Sequence, residues 1–159
     1  MANIDTIITE LETIANASTA IESFMYKRVS EVNATLNTPF PLLLVDSVPK
    51  ITRGEVNNSF LPRKKRYNVD VYLYNTYNYD TRSTTDLSAK QAELETILDQ
   101  YTAEVIRRCV NVTTSIMLVD RAAISGFVAN DVHNQKLVQV SYRFTFEVDS
   151  SCTLGTFNY

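Results

Sequence analysis

Apolar and polar residues alternate most cleanly in Lys136–Asp149, which reads KLVQVSYRFTFEVD. Val138, Val140, Tyr142, Phe144, Phe146 and Val148 share one parity, while Leu137, Gln139, Ser141, Arg143, Thr145 and Glu147 share the other. Side chains alternate faces along a strand, so this spacing predicts a long antiparallel strand, apolar on one face and mostly polar on the other. A helix at about 100° per residue would scatter the same groups around its circumference. Tyr67–Tyr79 alternates in the same way, with Tyr67, Val69, Val71 and Leu73 on one face and Asn68, Asp70, Tyr72 and Tyr74 on the other. Its nominally outer face carries the large aromatics Tyr72 and Tyr74, and Tyr77 and Tyr79 follow close behind.

Elsewhere the period is helical. From Ile4 to about Leu36 the apolar positions are Ile4, Ile7, Ile8, Leu11, Ile14, Ala15, Ile21, Met25, Val29, Val32 and Leu36, and nearly every gap is three or four or a sum of those. This predicts an amphipathic helix of about 30 residues, roughly 45 Å long, with a kink or break allowed at Asn16–Thr19. Pro39 and Pro41 then stop it. Phe40–Ser47 (FPLLLVDS) predicts a short buried strand. Val48–Arg66 is polar, with room for a strand at Lys50–Val56 before a long loop that ends in Arg63, Lys64, Lys65 and Arg66. Thr81–Asp86 is a helix-capping stretch. A second helix follows from about Asp86 to Cys109, striped by Leu87, Leu94, Ile97, Leu98, Tyr101, Val105 and Cys109. Val110–Asp120 alternates as a strand, and Arg121–Asn134 extends it before turning into the last one.

This order predicts an α+β fold: a single antiparallel or mixed sheet with a long N-terminal helix and a second helix packed on its apolar face. One domain is expected over residues 1–159, divided into helix 1–36, a polar and basic loop at 48–66, and a tail at 150–159.

The bulk numbers narrow the classes. Hydrophobic residues make up 45% and charged residues 21%, as in an ordinary globular chain, and the net charge of −3 gives no general attraction to nucleic acid or acidic membranes. Two cysteines, Cys109 and Cys152, are too few for a disulfide scaffold, so a reduced compartment is expected. The acidic N-terminus lacks the pattern of a signal peptide, which makes the Asn-X-Ser/Thr matches at Asn16, Asn33, Asn57 and Asn111 uninformative. No apolar run is long enough to span a membrane.

Little in the chain suggests chemistry. Three isolated glycines exclude a dinucleotide fingerprint or a phosphate-binding loop. His133, the single histidine, lies in a polar turn without an accompanying nucleophile, and one His with two separated Cys makes no zinc site. Asp46, Asp70 and Asp120 interrupt strands, where strand ends and outer faces explain them better than a metal cluster does. No catalytic residue, metal or cofactor is expected. Two features instead ask for a partner. Arg53 and Arg63–Arg66 form a basic stretch on an acidic chain, read as a solvated loop, as a contact for an acidic neighbour or, less favoured because the run lacks interleaved aromatics, as a contact for passing nucleic acid. The grouped tyrosines Tyr72, Tyr74, Tyr77 and Tyr79 are more typical of interfaces than of bare surface.

The succession of a first helix, FPLLLVDS, the Gly54-Glu55 insertion, YNVDVYLYNT, TTDLSAKQAELETILDQY and VQVSYRFTFEVD resembles bacteriophage tail-terminator, or tail-completion, proteins and related head–tail joining proteins. The resemblance covers residues 4–149 and is one of element order and pattern. It implies a structural virion protein, not an enzyme, that forms a homo-oligomeric ring, usually a hexamer, at the neck. Such a ring ends the tail tube and docks onto the head connector or stopper, DNA merely passing through its channel, and it assembles in the host cytoplasm without a membrane. Under this resemblance Arg143 and Glu147, on the polar face of the last strand, turn towards the channel or a neighbour. The alternatives are another neck ring (a stopper, an adaptor or a short-tail ring) and a cellular α+β ligand-binding domain with a deep apolar pocket.

Overall fold

The computed structural model describes residues 3–29, 39–56, 62–76, 84–109, 116–120, 124–130 and 137–149. Two helices and seven strands follow in the order α1 (Ile4–Ala17), β1 (Ser23–Lys27), β2 (Leu42–Asp46), β3 (Lys50–Val56), β4 (Pro62–Thr76), α2 (Thr84–Cys109), β5 (Ile116–Val119), β6 (Ser125–Asn130) and β7 (Leu137–Asp149). The fold is α+β, with one seven-stranded mixed sheet.

The two alternating stretches pair with each other. β4 and β7 run antiparallel in unbroken register from Lys64 opposite Asp149 to Thr76 opposite Leu137. This ribbon is the spine of the sheet, and shorter strands line both of its edges. Along β4, β3 pairs with one end and β2 with the other, and β1 adds to β2 in parallel. Along β7, β5 occupies the Asp149 end and β6 the Leu137 end. Ser125–Asn130 is therefore a strand of its own and not an extension of β5. Asp120 takes a left-handed backbone (φ 53°), which aspartate tolerates better than most residues, and the chain re-enters the sheet further along β7.

The alternation correctly identified one face of the spine. Val69, Val71, Leu73, Val140 and Phe144 are fully buried against α1 and α2. Helix α2 buries the predicted stripe of Leu94, Leu98, Tyr101, Val105 and Cys109, and burial pushes the Cys109 thiol pKa up to about 11. The two helices are tied to each other. Tyr101 Oη donates to the Leu11 carbonyl at 2.9 Å inside the core, and Arg108 Nη1 lies 3.1 Å from Glu10. Tyr142 reaches across from β7 and donates to Asp99 Oδ1 at 2.5 Å.

The first helix is much shorter than its periodicity predicts. Asn3 caps it by accepting from Thr6 N at 3.1 Å while Thr6 Oγ1 accepts from Asn3 N at 3.3 Å. It ends at Ala17, where Ser18 becomes extended, so of the kink and the break allowed at Asn16–Thr19 the break occurs. Beyond it, Ser23–Lys27 is a strand. β2 is buried on both faces, and a strand of that kind needs a hydrogen-bonded neighbour on each side. β1 supplies the second neighbour, with Phe24 facing the helices and Met25 the other side. The long helix of this protein is α2, not the N-terminal one.

Lys50–Val56 is the strand for which the sequence left room, β3, while the basic run Arg63–Arg66 does not end a loop: it lies in β4, which pairs antiparallel with β3 from Lys50 opposite Asn68 to Val56 opposite Pro62, and residues 57–61 lie outside the described residues. The tail 150–159 and the end of the predicted first helix at 30–36 lie outside the described residues.

Candidate interaction surface on the uncovered sheet face

The face of the spine turned away from α1 and α2 carries the even-numbered residues of β4 and the odd-numbered residues of β7. Register sets them in rows across the strands: Arg66 opposite Glu147, Asn68 opposite Thr145, Asp70 opposite Arg143, Tyr72 opposite Ser141, and Tyr74 opposite Gln139. β6 extends three of these rows, placing Ser125 beside Arg143, Phe127 beside Ser141 and Ala129 beside Gln139.

The charged rows satisfy themselves. Arg143 donates to both carboxylate oxygens of Asp70, through Nε at 2.7 Å and Nη2 at 2.9 Å. Thr145 Oγ1 donates to Asn68 Oδ1 at 2.9 Å. Glu147 accepts from Arg66 Nε at 2.9 Å and lies 3.1 Å from Lys64 Nζ. Partial burial alone would raise the Glu147 pKa, but the bonds from Arg66 and Lys64 outweigh it and hold the carboxyl below its usual range. A partner approaching these rows meets paired charges, not a field of one sign.

Among the tyrosines the structure makes a division. Tyr74 is not exposed: it is fully buried with Leu42, Leu44 and Leu137, and Met25, Val29, Phe40 and Tyr72 pack around this second small core. Each fully buried leucine contributes roughly 1.5–3 kcal/mol, whereas an exposed ion pair contributes about 0–1 kcal/mol. This end of the sheet is therefore held by apolar packing on both faces. The polar face of β7 is correspondingly not uniformly wet, because Gln139 and Ser141 are buried as well. Burial pushes the Tyr74 hydroxyl pKa well up, and that of Tyr72 rises mainly through burial with the Asp70 charge adding to it.

Tyr72 is half-buried and joins the buried aromatic to an exposed one. Its ring stacks on Tyr74 at 6.1 Å with 13° between planes and meets Phe127 edge-on at 6.4 Å and 76°. The two rings meet over the small side chain of Ser141, and Phe127 remains 55% exposed. An open groove of about 270 Å³ runs between this aromatic row and the Asp70–Arg143 pair. Gly126 lines its β6 side, where the backbones come so close that an added Cβ would stand 1.7 Å from the Ser141 carbonyl oxygen.

Of the residues singled out in the sequence, Tyr72, Arg143 and Glu147 lie on this face with Lys64 and Arg66. Lys65 falls on the opposite parity, across from Val148 and Arg53. Arg53 and Arg63 belong to β3 and β4. Tyr77, Tyr79, His133 and Cys152 lie outside the described residues. Asp70 is an outer-face residue and Asp46 ends β2. Phe127 was not singled out. Its signal was the apolar pair in SGFVAN, masked by the turn residues that follow. Among the described residues no group of three or more His, Cys, Asp or Glu is placed to hold a metal ion, and no helix is long and apolar enough to cross a membrane. No known protein-family model matches the chain, and no match is found among curated proteins.

Proposed function

We propose that this chain is a structural ring subunit of a bacteriophage neck, one that ends the tail tube and joins it to the head connector. The observation that carries this reading is a sheet whose two helices both pack on one face. The other face carries an aromatic row that ends in the exposed Phe127 and a ladder of paired charges. Aromatic residues beside satisfied polar groups are the composition of a protein–protein contact. The order of elements from α1 to β7 supports the same reading through its resemblance to tail-terminator proteins. The groove on this face is open and, at about 270 Å³, smaller than the roughly 300–1,000 Å³ of most ligand pockets, so this face offers a partner a surface and not an enclosed cavity.

In this reading the chain is non-enzymatic, and its partners are copies of itself, the tube protein and the connector side of the head. Native mass spectrometry of the purified chain, alone and with the tube protein, tests it. A closed ring, hexameric or larger, is the expected result, and a monomer under every condition sinks the reading. Electron microscopy of the neck separates a terminator from a stopper or adaptor by the position of the ring.

A further inference from the structure

Four strands lie at the sides of the sheet, β1, β3, β5 and β6, and they are not alike. β3 carries Lys50, Arg53 and Glu55, charges of the kind that keep an edge from pairing with another chain, and β5 is only four residues long. β6 (SGFVAN) has neither protection, and it holds no charged residue and no proline. Its consecutive residues Phe127 and Val128 belong to opposite faces, yet they are 55% and 46% exposed. β1 (SFMYK) is uncharged until its last residue, and Tyr26 is 41% exposed. Among the described residues no strand pairs with the outer side of β1 or of β6. Each therefore presents a row of backbone N–H and C=O groups on which a further strand can build.

Register relates these two edges to each other. One row crosses the sheet from Met25 through Leu44, Tyr72 and Ser141 to Phe127, and the next begins at Phe24 and ends at Val128. β1 and β6 thus stand at the same level on opposite sides of the sheet. They also run in opposite directions, because β1 is parallel to β2 and three antiparallel steps separate β2 from β6. A second copy set beside the first in the same orientation brings β6 against β1 as an antiparallel pair, the slightly more stable arrangement. The faces match as well. Met25 and Phe127 lie on the uncovered face, while Phe24 and Val128 lie on the parity that faces the helices. Side by side, Phe127 meets Met25 of the next copy and Val128 meets its Phe24, contacts of ring with thioether and ring with aliphatic group.

We propose that β6 of one copy adds to β1 of the next, joining their sheets edge to edge. The two edges select each other: they are of similar length, five and six residues, at one level, opposite in direction and apolar on matching faces. Main-chain bonds between such edges supply affinity, and the alternating side chains supply specificity. Pairing of β6 with itself about a two-fold axis would leave every β1 open. The head-to-tail contact covers both edges, and contacts of that kind close into rings when the rotation permits. This inference rests on the ring reading above and adds to it which surfaces meet.

The test uses the full chain with Val128→Lys on β6 and Tyr26→Lys on β1, each at a side chain that already reaches solvent. In sedimentation velocity the wild type is expected to associate alone, and equally at about 50 and about 500 mM NaCl, since backbone bonds and apolar contacts are not screened as ion pairs are. Each variant alone should associate at least about tenfold more weakly, with an unchanged circular dichroism spectrum. Mixed in equal amounts, the two should form a one-to-one dimer and nothing larger, because each keeps the edge that the other has lost. A mixture that stays monomeric overturns the contact. If Tyr26→Lys dimerises alone while Val128→Lys does not, β6 pairs with itself and the proposal falls. Variants that assemble like the wild type overturn the contact and leave the ring reading intact. A wild type that is monomeric alone also overturns it, and one that stays monomeric with the tube protein removes the ring reading too.

Should a variant misfold, oxidation decides instead. Met25→Cys/Phe127→Cys, combined with Cys152→Ser to remove a competing thiol, is expected to give disulfide-linked chains on a non-reducing gel. Within one copy the two positions are four strand spacings apart, about 19 Å, which no disulfide can bridge. Absence of links from an assembled sample refutes the contact, and so do dimers formed by Phe127→Cys/Cys152→Ser without the change at Met25.

Discussion

Replacing Gly126 by alanine tests how the uncovered face is built. Gly126 lies opposite Tyr142 in the β6–β7 ladder, and a Cβ there would stand 1.7 Å from Ser141 O and 2.4 Å from Tyr142 Cδ1. A carbon normally approaches a carbonyl oxygen no closer than about 3.3 Å, so β6 must retreat by roughly 1.5 Å. Backbone hydrogen bonds are made between about 2.7 and 3.2 Å, and a retreat of that size breaks those nearest to position 126. Overpacking costs about 1–3 kcal/mol and each lost ladder bond about 1 kcal/mol net, which together make about 2–4 kcal/mol. For a domain of this size that lowers Tm by roughly 5–15 °C. The loss is local in origin. Hydrogen exchange should rise in 125–130 and 138–143 and stay unchanged along the β4–β7 pairs nearer Asp149, and Phe127 should lose its contact with Tyr72. Val128→Ala, at an exposed position of the same strand, serves as control. A G126A protein that melts within about 1 °C of wild type, with unaltered exchange in these segments, would refute the close approach of β6 and β7.

Three further outcomes follow from the ion pairs and the helix tie. Asp70→Arg sets two guanidiniums side by side and is expected to cost about 0.5–1 kcal/mol in urea melts, small because Arg143 is largely exposed. The swap Asp70→Arg/Arg143→Asp should recover that loss, and a swap no more stable than the single variant would contradict the pairing. Tyr101→Phe leaves the Leu11 carbonyl without its buried donor and should cost about 1–3 kcal/mol; an unchanged urea midpoint would argue against the bond. The Glu147 carboxyl is held below its ordinary 4.5, so its contribution is present above that pH and is lost as pH falls through the lower folded value. Glu147→Gln should thus be less stable than wild type at pH 7 but match it once the pH has fallen below that folded value, and a gap that persists at low pH would contradict this.

Several elements were legible in the sequence because their signals are local. Alternation in Tyr67–Thr76 and Leu137–Asp149 marked both spine strands and their helix-facing sides, and the three-to-four spacing in α2 marked its buried stripe. Each pattern depends on a period of two or 3.6 residues that one stretch displays by itself. The candidate surface was legible to the same extent. Tyr72, Arg143 and Glu147 could be assigned to a polar face, but their partners could not be chosen, because Asp70 and Arg143 are 73 residues apart and Arg66 and Glu147 are 81.

The departures share one cause. Ile21, Met25 and Val29 keep a helical spacing, yet Ser23–Lys27 is a strand because β2 needs a second hydrogen-bonded neighbour. Tyr74 alternates as an outer residue, yet it is buried because Leu42, Leu44 and Leu137 converge on it from other strands. The basic run Arg63–Arg66 reads as loop, yet it pairs on one side with β3 and from Lys64 onward with β7. The sequence by itself determined which stretches have an apolar face and which parity carries it. The tertiary structure alone decided what covers each face, because burial and backbone pairing are satisfied by neighbours distant along the chain and outweigh local propensities of well under 1 kcal/mol per residue.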